Sequence, residues 1–130
     1  DFYDFPALEM TPTPAGPVPI YVGGLSEPAL RRAARHDGWI SDLISTAEAA
    51  DYRARIDAHR ERQGCTGNFS MIVSLNDAVT AEGFRRAEEV GVTDILTMPW
   101  AYYGGFELPL DQKLDGVRRF AEEVVALLAT

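Results

Sequence analysis

Two short stretches of the chain hold most of its capacity for chemistry. The first is Gly23-Gly24-Leu25-Ser26, set between an apolar run and a helix-patterned segment. Two glycines there let backbone N–H groups approach an anion at a helix N-terminus, whose dipole favours negative charge. A phosphate suits such a loop, but a tight strand-to-helix turn would use the same residues, and the pattern leaves both readings open. The second stretch is PWAYYGGF, positions 99–106, where Trp100, Tyr102 and Tyr103 offer walls for a flat ring or an apolar substrate. The same aromatics would serve as packing surface for the preceding arm or for another chain. Asp42 is a candidate carboxylate for the same rim, with helix capping or a loop role as its other reading.

Other chemistries find no support. No Ser-His-Asp set, no pair of carboxylates and no activated nucleophile is visible, so a catalytic residue is unassigned and any chemistry would be a cofactor's. His36 and His59 fall in helix-patterned stretches without ligands at metal spacing and read as solvated helix histidines. Cys65, in QGCTG, has no companion thiol for a disulfide or a metal site, which makes a reducing cytoplasm the natural compartment. Asp37-Gly38-Trp39 reads as a helix stop followed by a large side chain packed in or beside a sheet. Among other rim residues, Asn76, Asp77 and Met98 follow strand candidates.

The elements that must position these residues recur four times as a short β-rich run and a helical pattern. The strand candidates are 18–22, 38–44, 69–75 and 93–99. The first, third and fourth are nearly continuous in apolar character, as strands covered on both faces are. Helices are expected at about 28–36, with Ser26 or Glu27 as N-cap, and at 47–63, where Ser45 and Glu48 form a capping box and Gly64 ends the helix. A third, 81–90, is capped by Thr80 and carries Phe84, Ala87 and Val90 on one face. The last follows a cap at Asp111, and its stripe of Leu114, Val117, Ala121, Val124 and Leu128, flanked by Phe120 and Val125, is expected to lie on the sheet. Residues 1–17 read as a hairpin or extended arm with a Pro-rich linker, and 18–130 as four βα units. Long connections require parallel strands, giving an α/β fold that is either an open doubly wound sheet or an arc of a (β/α) barrel. In both, ligands bind at the carboxyl ends of the strands.

The chain's 130 residues suit one domain, and 46% hydrophobic with 25% charged residues describe a chain that folds around a core. A formal charge of -8 repels nucleic acid and anionic membrane surfaces alike. No apolar run is long enough to suggest a membrane span.

The segment PVPIYVGGLSEPALRRAARHDGWI closely resembles one found in luciferase-like monooxygenases, including their deazaflavin-dependent oxidoreductases. There a strand ending in two glycines is followed by an Ala/Arg-rich helix and an aspartate-glycine-aromatic strand start. DFYDFPALEMTPTP resembles the family's preceding arm, and GVTDILTMPW with LDGVRRFAEEVV its last βα unit. The resemblance implies the carboxyl-terminal half of a TIM (β/α)8 barrel, with FMN or coenzyme F-420 as coenzyme and a small organic substrate. It implies that Gly23, Gly24, Leu25 and Ser26 contact the coenzyme's phosphate through main-chain groups, and that Gly24→Asp weakens coenzyme binding without unfolding the chain. A half barrel exposes two strand edges and an apolar inner face, so the amino-terminal half of the barrel or a second copy of the chain is the expected partner. The alternative is a stand-alone, non-catalytic α/β module that self-associates or binds a phosphorylated ligand.

Overall fold

A computed structural model of the chain describes residues 3–4, 6–9 and 11–129. Positions 1, 2, 5 and 10 of the expected arm lie outside it; the rest of the arm is exposed and forms no strand among the described residues. Four strands follow: β1 (Tyr21–Gly23), β2 (Gly38–Ile44), β3 (Ser70–Leu75) and β4 (Asp94–Ile95). They pair in parallel in the order β1-β2-β3-β4. That order decides between the two architectures, because a doubly wound sheet reverses at a switch point whereas a barrel adds each strand to the last. The sheet is an arc of barrel type. Right-handed crossovers then place α1 (Glu27–Ala33), α2 (Thr46–Gln63) and α3 (Ala81–Glu89) side by side on one face, each touching the next.

The helix boundaries have local causes. For α2, Ser45 Oγ accepts the Glu48 N–H while the Glu48 carboxylate accepts the Ser45 N–H, and Gly64 ends the helix in the left-handed region at φ 69°. The Asp77 carboxylate, in the loop after β3, accepts from the Thr46 N–H and hydroxyl, so this rim residue is engaged at the start of α2. Thr80 Oγ1 caps α3 by accepting the Gly83 N–H. Ser26 is the N-cap of α1 by backbone conformation only; its hydroxyl makes no capping bond.

Strand ends are shorter than the apolar runs suggested. The run at 18–22 pairs only from Tyr21, since Pro17 and Pro19 have no N–H to give and the Ile20 N–H donates to the Asp37 carboxylate at 2.7 Å. At 93–99 the strand is Asp94–Ile95, flanked by bonds from the Thr93 N–H to the Met71 carbonyl and from the Leu96 N–H to the Val73 carbonyl, before Pro99 opens a 3-10 turn at Pro99–Tyr103. Gly38 does more than stop a helix. A Cβ there would sit 2.4 Å from the Tyr21 ring and 2.6 Å from the Ser70 carbonyl, so three strands close in at that point only around glycine.

The core lies between the sheet and the helix layer. Met71, Val73 and Leu75 alternate toward the helices, and Leu30, Trp39 and Ile56 have no accessible surface. Burying side chains of this size contributes about 1.5–3 kcal/mol each. The opposite face corrects the expectation of strands covered on both sides: Leu43 is 61% and Leu96 53% exposed, and Tyr21, at the start of β1, is exposed too. An arc of four strands covers one face with its own helices and leaves the concave face bare.

The closing helix α4 (Leu110–Phe120) continues through a π-type turn at Ala121–Val125 to a last turn at Ala126–Leu128. It starts after Pro109 rather than at Asp111. Its buried line is Gly116, Phe120 and Val124, while Leu114, Val117 and Leu128 of the expected stripe are exposed. The difference is one of rotation. Phe120 turns inward to meet Phe84 and Tyr102, with ring centroids 6.1 and 5.7 Å away, and carries the larger aliphatic row off the sheet.

Candidate functional site

Gly23 ends β1 on the concave face, beside Ile40, and its φ lies outside the left-handed region. A Cβ there would make only ordinary contacts, 3.7 Å to Ile40 Cγ2. Gly24 differs, with φ 112° and a Cβ position 3.1 Å from that of Ala29. Only glycine turns the chain here without strain, so Gly24→Asp carries a backbone cost of its own, and the expectation of an innocuous substitution moves to Gly23. The turn is pinned from below: the Trp39 indole N–H donates to the Gly24 carbonyl at 2.8 Å. Trp39 is thus packed against Tyr52, with centroids 5.2 Å apart, and is also a strut for the loop. Among the described residues the N–H groups of Gly24, Leu25 and Ser26 meet no acceptor.

Behind the loop, α1 is tied to α2 through Glu27. Its carboxylate is 2.8 Å from the Arg55 guanidinium and 2.6 Å from His59 Nε2. The hydrogen bond from Arg55, then that from His59, holds the Glu27 carboxyl below the ordinary carboxylate range. His59 is buried, and Arg62 lies 3.0 Å from its other ring nitrogen. This corrects the reading of His59 as a solvated residue; the helix pattern concealed a tertiary partner 32 positions away.

At the carboxyl ends of β2, β3 and β4 lies a cavity of about 490 Å³. Asp42 and Tyr102 line it together with Leu43, Leu96, Met98 and Phe106. Asp42 reaches it through an irregularity. Ile40 pairs with Ile72 and Leu43 with Ser74, so three steps along β2 match two along β3, a bulge that breaks the in-out alternation at Ser41-Asp42. Asp42 Oδ1 accepts the following Leu43 N–H at 2.8 Å. On the other wall the Tyr102 and Thr97 hydroxyls share a hydrogen bond.

The remaining aromatic candidates turn away. The Tyr103 hydroxyl donates to Glu123 at 3.0 Å, its ring lies 4.2 Å under the Arg119 guanidinium, and burial, then the bond to Glu123, pushes its phenol pKa up. Trp100 packs against Gly116 with Lys113 over its ring, and its buried indole N–H has no partner among the described residues. The structure therefore joins Asp42 and Tyr102 in one cavity, sets Gly23–Ser26 on the same rim at β1, and gives Trp100 and Tyr103 to α4. Leu43, Thr97 and Phe106 were not singled out in the sequence; the broken alternation of SDL was the available signal for the first.

No helix among the described residues is long and apolar enough to cross a membrane. Three uncharacterized proteins, one from Mycobacterium bovis and two from strains of Mycobacterium tuberculosis, are each 40% identical to the chain over 129 residues, or 97% of it. The chain spans 44% of the length of each of these relatives. No solved structure matches it. The family model for luciferase-like monooxygenase matches residues 1–105, which include the glycine turn, the bulged strand and the aromatic segment up to Gly105. With its parallel β-α order and that match over most of its length, the chain belongs to the luciferase-like monooxygenase family.

Proposed function

We propose that the chain is the carboxyl-terminal part of a flavin- or deazaflavin-dependent oxidoreductase acting on a small organic substrate, with FMN or coenzyme F-420 as its coenzyme. Luciferase-like family members commonly use flavin-type coenzymes. The observation that carries the reading is the placement of two complementary surfaces on one rim. A loop with three unpaired amides lies at β1, and an apolar cavity lies across β2 to β4.

The residues suit such a coenzyme. The Gly24, Leu25 and Ser26 amides would donate to a phosphate, Gly23 leaves room beside Ile40, and the Trp39 indole holds the turn before any ligand arrives. The coenzyme, when bound, supplies the hydride chemistry that no side chain here provides. The cavity's apolar walls then exclude water from a substrate held against Asp42 and Tyr102. The rest of the barrel would come from a longer polypeptide, in keeping with the length of the relatives.

Gly23→Asp in the full-length protein tests the reading, with FMN and coenzyme F-420 titrated separately. The charge set beside a phosphate is expected to weaken binding of the coenzyme used by at least tenfold, with the unfolding midpoint unchanged. Unaltered affinity in a folded variant would remove the loop from the site and favour the non-catalytic module.

A further inference from the structure

We infer that the cavity selects an apolar molecule whose polar group is a hydrogen-bond donor, neutral or cationic such as an alcohol or an amine, and that Asp42 rejects anionic substrates. The inference rests on the reading of this rim as a coenzyme and substrate site and names the substrate class. Its ground is the distribution of polarity. Among the described residues no lysine, arginine or histidine lines the cavity, so a carboxylate or phosphate entering it would find no cation on this half of the barrel. It would find Asp42 instead. One oxygen of that carboxylate is engaged by the Leu43 N–H, and the other has no partner among the described residues. A carboxylate accepts only, so the complement to the free oxygen is an O–H or N–H group.

The opposite wall reinforces the choice. Thr97 and Tyr102 bond to each other, which uses one of their two O–H hydrogens and leaves the other, with the remaining lone pairs, for a neutral oxygen or nitrogen. The rest of the lining, including Leu43, Leu96, Met98 and Phe106, is apolar except for Ser74, whose hydroxyl is neutral like those of Thr97 and Tyr102. Anion binding and substrate binding are thus separated along the rim. The unpaired amides sit at β1, and the acceptor sits on the bulge of β2.

Three probes of equal chain length test this on the full-length protein: n-hexanol, n-hexylamine and n-hexanoate, titrated calorimetrically. The alcohol and the amine are expected to bind at least tenfold more tightly than the carboxylate. Asp42→Asn keeps an oxygen for the Leu43 N–H but removes the charge; it should weaken n-hexylamine, strengthen n-hexanoate and narrow their difference to about threefold or less. Equal or tighter binding of n-hexanoate by the unsubstituted protein overturns the inference, as does an undiminished difference between n-hexylamine and n-hexanoate in a folded Asp42→Asn variant or the absence of saturable binding of all three. Coenzyme binding, followed on the same samples, separates the two claims. A preserved ranking with no binding of FMN or coenzyme F-420 would fail the oxidoreductase reading alone, and a flat ranking with coenzyme bound would fail this inference alone.

Discussion

At the scale of single residues, the glycine turn depends on a tryptophan fifteen positions away. Trp39 fills the space between sheet and helices, and its one polar atom is spent on the Gly24 carbonyl. Trp39→Phe removes that hydrogen bond and part of the ring. A net hydrogen bond is worth about 0.5–1.5 kcal/mol, and the volume lost from a closed core adds to it, so a destabilisation of about 1–3 kcal/mol is expected in urea unfolding. Coenzyme affinity should fall with it, because the loop loses its strut; an intact affinity would show that the turn holds its shape alone. The sequence revealed that Trp39 is large and packed but not what its N–H meets, since nothing in local spacing reports a bond across two elements. Asp42 and Tyr102 were legible as rim residues from their positions, Asp42 near the end of the second strand and Tyr102 after the fourth. That Trp100 and Tyr103 turn toward α4 was not, because a 3-10 turn distributes neighbouring side chains around its axis in a way no strand or helix period describes.

Elements were read best where their punctuation is chemical. The capping box of α2 and the threonine cap of α3 stand where the residue types required. Ser45→Ala removes the first and is expected to lower stability by about 1 kcal/mol, measured from the thermal or urea midpoint. Its pH dependence has a sign. The Ser45 backbone and side-chain hydrogen bonds hold the Glu48 carboxyl below the ordinary carboxylate range, so the stability it contributes is present above that range and is lost as pH falls through the lowered value. Ser45→Ala should therefore flatten part of the acid limb of the stability curve while leaving its neutral plateau parallel to the original. A steeper acid limb would contradict the assignment. Elements governed by tertiary geometry were read less well. The strand at β4 ended early because it has one neighbour, and α4 chose Phe120 over its longer aliphatic row because the aromatic contacts of Phe84 and Tyr102 outweigh periodicity.

For the whole molecule, the α/β order and the barrel arc followed from four repeats of one pattern, but how many strands close around the concave face is not written in any one of them. Its consequence is measurable. Expressed by itself, the 14.3 kDa chain presents Leu43, Leu96 and the strand edges at β1 and β4 to solvent. It is expected to sediment as oligomers at micromolar concentration, and Leu43→Ser with Leu96→Ser should shift the average mass toward the monomer. A monodisperse monomer of the unsubstituted chain would show that the bare face tolerates water. The strand order carries a further consequence. Because β2, β3 and β4 each pair with the strand made just before them, every contact between the described strands is closed across one βα unit. Such a chain can assemble vectorially as it leaves the ribosome, each unit offering its fresh edge as the template for the next. In the barrel proposed above, the open edge at β4 is the one left to close on the barrel's first strand.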